Sequence, residues 1–260
     1  MRQRVKACHL IIYFLLCITL SHCSSFPTKQ DGAPDLSVNV ANIKNPVPRP
    51  LTKSRYGNPP SYVVNGKRYF VLQSASHYNQ TGIASWYGTK FHGRLTSTRE
   101  PYNMYAMTAA SPVLPIPCYV RVTNLENGKQ VIVKVNDRGP FAPNRIIDLS
   151  YVAALKLGYE KKGTTLVRVS SFNLKNNTLP HKPAKLYLQI GAFSQYPNAS
   201  HAKLKAAQLT NEPVHILSSS DFGVQLFKVQ VGPLYNIAES DQLLQQLSRQ
   251  GYQHAFSIVK

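Results

Sequence analysis

The chain is patterned as short runs in which apolar and polar residues alternate, separated by clusters of turn-forming residues. The clearest run is V-I-V-K-V at positions 131–135, and alternation of β-branched residues with a period of two predicts a strand. Gly139-Pro140 follows closely, and neither residue continues the interior of a strand. Asp137 is therefore predicted to lie where the strand leaves the sheet, held rigidly and facing a groove.

Several other short strands surround this one. Residues 62–72 predict a hairpin with its turn at Asn65-Gly66, the strongest short-range turn signal. Residues 119–124 are expected to pair with residues 130–135 across Asn127-Gly128. Short strands with frequent glycine turns and little helix predict a mainly β domain, a small closed barrel.

One short helix is predicted in this region, from Tyr151 to Leu157, with Gly158 as its stop. Asp148 lies just before this helix and is interpreted as part of its N-cap region. Arg145 is close in sequence, so Asp148 is also expected to pair with an arginine. Both features assign Asp148 a structural role.

The C-terminal part repeats a strand–helix pattern after a polar linker at 171–183. Strands are predicted at Leu186–Phe193 and Leu226–Leu234, each followed by a helical pattern. Two further strands, near 213–217 and 254–259, complete the order βαββαβ over residues 184–260. This order predicts an α+β domain, with a four-stranded sheet and two helices on one face.

The net charge narrows the classes of molecule that the protein is expected to bind. Thirty Lys and Arg face 11 Asp and Glu, a net charge of +19, which implies an acidic polymer or surface as partner. Residues 1–22 combine a basic start with an apolar run that is short for a membrane span, as in a bacterial lipoprotein signal peptide. Cys23 would then carry lipid and anchor the chain to a membrane. Export also argues against nucleic acid as a partner.

The remaining cysteines and prolines fit an exported protein. Cys118 is left without an intramolecular partner once the signal is removed, so it is interpreted as a small buried hydrophobe rather than a nucleophile. Residues 23–61 are rich in Pro, Asn, Ser and Lys, which predicts a disordered tether. No cysteine or histidine pair has the spacing of a metal site, and no cofactor is predicted.

A series of motifs resembles the rare lipoprotein A family. In chain order they are S-W-Y-G-T-K-F-H-G-R, E-P-Y-N-M-Y-A-M-T-A-A, V-R-V-T-N-L-E-N-G, N-D-R-G-P-F and I-I-D-L-S. The resemblance covers residues 62–170 and implies a double-psi β-barrel. It also implies a lytic transglycosylase that cleaves peptidoglycan glycan strands lacking stem peptides.

The same resemblance assigns site residues. The family's acidic positions fall on Asp137, expected to act as acid/base, and on Glu100, expected to act as its partner. The chain departs from the family at Ser111, where a histidine is usual, and at Arg99, where a glycine is usual. Four residues near these motifs are expected to bind substrate: Trp86, Tyr87, Ser111 and Arg138.

The C-terminal domain resembles the sporulation-related repeat (SPOR) domain through Q-I-G-A-F and V-Q-V-G-P. That family binds glycan strands without peptides, usually at division septa, through its sheet. Five residues are expected to bind glycan here: Gln189, Phe193, Phe227, Lys228 and Gln230. About half of them could instead pack in the core, because alternate strand positions point inward. A sheet with aromatics can also bind RNA, which export disfavours.

Together these features predict an envelope lipoprotein, outer-membrane anchored and enriched at the septum. Its barrel would cleave denuded glycan and its tail would bind it, with septal proteins as possible partners. The main alternative is a non-catalytic septal glycan-binding protein, favoured by Ser111 and Arg99. A third interpretation is a barrel that loosens the wall, or inhibits an enzyme, without cleavage.

Overall fold

The computed structural model describes residues 30–171, 184–221 and 223–260. The signal peptide at 1–22, the lipidated Cys23 and all but the first residue of the linker fall outside these ranges and stay predictions. In the described ranges, none of the helices has the length and apolar character needed to cross a membrane.

Six strands close into a barrel in the order β3-β7-β4-β6-β5-β8. The pairs β3–β7 and β4–β6 are parallel and the others antiparallel. The strands are β3 (Asn79–Tyr87), β4 (Thr108–Ala110), β5 (Cys118–Asn124), β6 (Gln130–Asp137), β7 (Arg145–Ser150) and β8 (Thr165–Ser171). The predicted barrel is confirmed, and β6 ends at Asp137 as expected.

The barrel core follows from the alternation in the sequence. Val131, Val133 and Val135 of β6 are fully buried and pack against Val120 and Val122 of β5. Ile132 and Lys134, between them, point outward. A register shift between Ala109 and Ala110 of β4 then sets Asp137 opposite Ala110.

The predicted helix is confirmed as α1 (Tyr151–Leu157), which ends at Gly158 with a left-handed φ of 75°. Its N-cap, however, is Ser150, whose Oγ accepts a hydrogen bond from the amide of Ala153. Asp148 lies two residues earlier, inside β7. The cap assigned to Asp148 is therefore wrong.

The predicted hairpin is also confirmed, as β1 (Ser61–Val64) and β2 (Lys67–Phe70). Both turn residues are left-handed, Asn65 with φ 49° and Gly66 with φ 76°, as a type I′ turn requires. The hairpin forms its own two-stranded sheet and takes no part in the barrel's strand order.

The segment 31–60, predicted to be a disordered tether, instead lies along the barrel. The Asp31 carboxylate accepts hydrogen bonds from the amides of Gly88 and Lys90 at 3.0 Å. Further along, Val40 and Ile43 pack against the barrel core. The tether prediction is wrong here because these contacts join distant parts of the chain, and composition does not reveal them.

Replacing Asp31 by Ala should lower the free energy of unfolding by about 1–3 kcal/mol, because the part-buried amides of Gly88 and Lys90 lose their acceptor. Denaturant unfolding of residues 24–260 measures this. Asp35→Ala is the matched control, since Asp35 is exposed. Equal stability of the two variants would contradict this packing of the segment.

The C-terminal domain is a four-stranded antiparallel sheet in the order β10-β11-β9-β12. Helices α2 and α3 pack over it, in the predicted order βαββαβ. The elements are β9 (Leu186–Phe193), α2 (Tyr196–Ala207), β10 (Val214–Asp221), β11 (Val224–Leu234), α3 (Ile237–Arg249) and β12 (Phe256–Val259). The helical patterns in the sequence run from Asn198 and from about Glu239, so both helices begin two residues earlier than predicted.

The barrel and the C-terminal domain contact each other directly. Arg145 of β7 forms a two-pronged ion pair with Asp241 of α3, at 3.2 and 2.5 Å. The Thr81 hydroxyl donates to the carbonyl of Val259 in β12, at 3.1 Å. Arg145 thus forms its ion pair with an acid of the second domain rather than with Asp148.

Candidate active site

Asp137 is fixed by three hydrogen bonds at the end of β6. Its Oδ1 accepts from the amide of Ser97 at 2.8 Å, from the Ser97 hydroxyl at 2.7 Å and from the amide of Arg138 at 2.7 Å. Among the described residues, these hydrogen bonds reach only Oδ1 of the carboxyl.

Glu100 lies on the same loop as Ser97, and its side chain contacts β6. Its carboxylate accepts from Lys134 Nζ at 2.8 and 3.0 Å, and from Asn136 Nδ2 at 3.2 Å. Burial opposes its ionisation, but the hydrogen bonds from Lys134 and Asn136 outweigh burial and lower the pKa of Glu100 below its ordinary value. Glu100 is therefore an anion near the end of the strand that carries Asp137.

The strand register adds Asp148 to this face of the barrel. Ala110 of β4 pairs with Asp137 on one side and with Asp148 on the other. Strands lie about 4.8 Å apart, so the two Cα atoms are roughly 10 Å apart. The Asp148 carboxyl accepts a hydrogen bond from the Ser85 hydroxyl of β3.

The environment of Asp148 changes the pKa of its carboxyl. Burial raises the pKa of Asp148 from 3.8 to about 6, although the Ser85 hydrogen bond and the charge of Arg145 lower it. The negative charges of Asp31 and Asp137 also raise it. Asp148, with its raised pKa, and Asp137, fixed by hydrogen bonds, lie on one face of the barrel, and two carboxyls in different environments are the pattern of an acid and a base.

Arg138 is not available to a substrate in this structure. Its side chain donates to the carbonyls of Gly57 at 2.7 Å, Ser111 at 2.9 Å and Leu114 at 2.5 Å, and to Oδ1 of Asn58 at 3.1 Å. These bonds fasten the N-terminal segment and the loop after β4 to the barrel. The substrate-binding role expected for Arg138 is replaced by a structural one.

Ser111 is likewise turned inward. It is fully buried, and its hydroxyl accepts from the amides of Val113 and Leu114 at 3.4 and 3.3 Å. Its hydroxyl closes a turn, so the expected contact between Ser111 and substrate is not supported.

The aromatic residues divide into buried and exposed sets. Tyr87 is buried and stacks on Tyr102 at 3.9 Å between ring centroids, so its faces are covered and its expected substrate contact is not supported. Phe91 and Tyr105, from the loop after β3, are exposed instead. Phe91 packs edge-on against Tyr87. Exposed rings can cover sugar faces, which makes these two the better candidates.

Trp86 is half-buried at the end of β3. Its indole N–H donates to the carbonyl of Glu160 at 3.1 Å, and its ring packs against Tyr151 at 5.4 Å. These contacts indicate that Trp86 mainly supports the fold, and a sugar could reach only its exposed part.

The Arg99 backbone is strained beside the site. Its φ is 70°, a left-handed conformation that glycine adopts freely and other residues do not. Arg99→Gly is therefore expected to raise the free energy of unfolding by about 1 kcal/mol. Calorimetry measures this, with Arg94→Gly as the control. Arg94 has no positive φ, so a glycine there adds only flexibility. A loss of stability in Arg99→Gly would contradict the strain.

The predicted glycan-binding residues of the C-terminal domain fall on two faces of its sheet. Leu186, Leu188 and Ile190 are buried on the helix side, so Gln189 lies on the open face. Gln230 pairs with Gln189 and donates to its Oε1 at 2.9 Å. Gln230 itself is buried and accepts from Lys260 Nζ at 2.7 Å, so it mainly orients Gln189. Lys228 alternates with buried neighbours in the same way and also lies on the open face.

The two phenylalanines lie on the other face, which corrects the expectation that they bind glycan. Phe193 and Phe227 pair with each other and pack against the helix-side core, with Phe227 edge-on to Tyr196. A β-bulge near Gln230 shifts the register, and a one-residue shift moves a side chain to the opposite face. Phe193 is therefore turned toward α2.

The open face instead holds two aromatic residues that the motifs did not indicate. Phe256 of β12 pairs with Gln189 and is 46% exposed. Tyr187 lies two residues before Gln189, with the ammonium of Lys260 at 4.7 Å from its ring centroid. Alternation with the buried leucines of β9 was the signal that could have identified Tyr187.

Comparison with known proteins agrees with both domains. Residues 79–169 match the family described as "Lytic transglycolase", and residues 182–257 match the "SPOR domain". A crystal structure of the RlpA SPOR domain from Pseudomonas aeruginosa is 27% identical and covers 28% of this chain and 96% of that chain, with a TM-score of 0.27.

Several curated relatives are named "Endolytic peptidoglycan transglycosylase RlpA". The one from Vibrio cholerae is 36% identical over 254 residues, covering 94% of this chain and 95% of its own. That from Pseudomonas aeruginosa is 54% identical over 144 residues, 55% of this chain and 42% of its own. That from Neisseria meningitidis is 47% identical over 148 residues, 57% and 62% of the two chains. With a relative matched along nearly its whole length and both domains matched in order, the chain belongs to the RlpA family of endolytic peptidoglycan transglycosylases.

Proposed function

We propose that the protein is a lytic transglycosylase that cleaves peptidoglycan glycan strands lacking stem peptides. The observation that carries this proposal is the placement of Asp137 and Asp148 on strands flanking β4, with the pKa of Asp148 raised by burial and Oδ1 of Asp137 held by three hydrogen bonds. The family membership supports the reaction class. Such a pair supplies the base and the acid that cleavage of a glycosidic bond requires.

The proposed reaction uses the sugar's own hydroxyl as nucleophile. Asp148 donates its proton to the glycosidic oxygen as the C1–O bond breaks. The C6 hydroxyl of the muramoyl ring attacks C1, and Asp137 accepts the hydroxyl proton at Oδ2. The products are a 1,6-anhydro-muramoyl end and a free hydroxyl on the next sugar, with no water consumed. The distance rules for hydrolases therefore do not apply strictly.

The sequence motifs assigned both the acid role and the base role to Asp137. This scheme gives the acid role to Asp148 and leaves the base role to Asp137. Three hydrogen bonds hold Oδ1 of Asp137 in place and leave Oδ2 to accept the hydroxyl proton, which suits the base. The raised pKa of Asp148 suits the acid. Glu100 keeps its role as partner, a fixed anion that stabilises positive charge developing at the sugar.

The C-terminal domain is proposed to bind the same denuded glycan through the open face of its sheet, with Gln189, Lys228 and Gln230. Linking a binding domain to the barrel raises the effective concentration of the barrel on its substrate. Glycan without peptides would concentrate the protein at the division septum. Anchoring through Cys23 would hold it in the outer membrane, facing the periplasm.

A non-catalytic glycan-binding role is the second candidate. Ser111, buried where the family has a histidine, and Glu100, held by Lys134, are the observations that favour it. The barrel would then keep a groove that binds glycan, and its acids would serve the fold.

Mass spectrometry of glycan digests decides between the two. Residues 24–260 are incubated with purified glycan stripped of stem peptides, beside the variants Asp137→Asn and Glu100→Gln. The proposal expects 1,6-anhydro ends that disappear with Asp137→Asn and decrease with Glu100→Gln. Intact glycan that still retains the protein would overturn the enzymatic proposal in favour of the binding role.

A further inference from the structure

The barrel carries a second concave site away from its acidic face. A cavity of about 770 Å³ lies over β5 and β8, within the volume range of small-ligand sites. Residues 48–51 of the N-terminal segment and residues 74–79 before β3 form its walls. Asp137 and Asp148 lie on β6 and β7 and do not line it.

Two arginines are placed side by side on the floor of this cavity. Arg121 of β5 pairs with Ser170 of β8, and Thr123 pairs with Arg168. Arg121 and Arg168 are therefore diagonal neighbours on one face, about 7–8 Å apart at Cα and within reach of each other. Arg49 adds a third guanidinium from the wall.

The described residues that line the cavity include neither Asp nor Glu. Guanidinium groups bind carboxylates and phosphates in a two-pronged geometry, so neighbouring arginines in a cavity lining suit an anion.

The rest of the lining fits a sugar better than a bare ion. Hydroxyls and amides surround the arginines and can bond ring hydroxyls and acetamido groups; they belong to Ser74, Ser76, Asn79, Thr123, Gln130 and Ser170. Burial raises the pKa of Tyr78 and of Cys118 to about 12, so both groups stay neutral and do not oppose an anion.

We propose that this cavity binds an anionic sugar unit of the glycan, with the lactyl carboxylate of muramic acid held between Arg121 and Arg168. The choice of muramic acid rests on the proposed function, because it is the acidic sugar of the proposed substrate. The cavity would hold a glycan segment outside the cleavage groove, in addition to the open face of the C-terminal sheet.

The test follows the guanidinium signals of the arginines by NMR in residues 24–260. N-acetylmuramic acid is compared with N-acetylglucosamine, which has the same ring without the lactyl group, and with inorganic phosphate. The double variant Arg121→Gln/Arg168→Gln is compared with Arg68→Gln/Arg249→Gln, which removes the same charge at exposed positions outside the cavity.

We expect N-acetylmuramic acid to shift the Arg121 and Arg168 signals saturably. Binding should be at least tenfold weaker for N-acetylglucosamine and for the cavity double variant, and unchanged for the control. Equal binding of the two sugars, a response to phosphate alone, or full binding by the cavity variant would overturn the proposal. The readout does not depend on cleavage, so an inactive protein that still binds N-acetylmuramic acid here would refute only the proposed function.

Discussion

Replacing Asp148 by Asn should lower the rate of anhydro-end formation by about 10²- to 10⁴-fold, the usual loss when a general acid is removed. The carboxyl is buried and bonded to Ser85, and asparagine keeps its size while removing the proton. Asp35→Asn, an exposed change of the same kind, should leave the rate unaltered. An Asp148→Asn enzyme that keeps more than a tenth of the rate would exclude Asp148 as the acid.

The pH profile separates a proton donor from a merely structural residue. Asp148 must be protonated to act, so kcat/KM should fall as the pH rises through about 6, the pKa of its carboxyl. The Ser85 hydrogen bond lowers that pKa, so Ser85→Ala should move the fall to higher pH. The charge of Asp31 raises it, so Asp31→Asn should move the fall to lower pH. Shifts in the same direction, or none, would contradict the role of Asp148.

Replacing Arg138 by Gln should give the largest loss of stability. Its guanidinium donates hydrogen bonds to the carbonyls of Gly57, Ser111 and Leu114. A buried carbonyl left without a donor costs about 1–3 kcal/mol. We expect the free energy of unfolding to fall by about 3 kcal/mol or more, which corresponds to a Tm lower by roughly 6–12 °C.

Calorimetry and denaturant unfolding measure this loss. Arg68→Gln is the control, because Arg68 is exposed on the hairpin and should change stability by no more than about 0.5 kcal/mol. Arg138→Lys should also be destabilised, since a lysine ammonium cannot donate hydrogen bonds to all of these carbonyls at once. A loss below about 1 kcal/mol in Arg138→Gln would show that the N-terminal segment is held by other contacts.

The local elements could be predicted because their signals are local. The alternation of β6, the Asn65-Gly66 turn and the stop at Gly158 each depend on residues adjacent in sequence, and all three occur as expected. The acid at the end of β6 followed from the same pattern, since a glycine and a proline end the strand just beyond Asp137.

The position of Asp148 could not be predicted, because it depends on strand pairing. An Asp shortly before a helix is typical of a cap, and only the parallel pairing of β3 with β7 sets Ser85 opposite Asp148. The pairing of β4 with both neighbours then brings Asp148 to the face of Asp137. No local motif encodes either pairing.

The same limit explains the errors at Phe193 and in the N-terminal segment. Strict alternation along β9 would place Phe193 on the same face of the sheet as Gln189, but the β-bulge turns Phe193 to the helix side. The segment 31–60 has the composition of a tether, yet Asn58 donates to the carbonyl of Ile116 at 2.7 Å. Such side-chain bonds to distant backbone exist only once the barrel has formed.

The most direct test of the central claim is a digest of denuded glycan in oxygen-18 water, with the new ends analysed by mass spectrometry. If the C6 hydroxyl is the nucleophile, every new muramoyl end is a 1,6-anhydro sugar and carries no oxygen-18. Asp148→Asn and Asp137→Asn should both suppress these ends. Reducing ends that carry oxygen-18 would show that water attacks instead, and would contradict the account of a lytic transglycosylase.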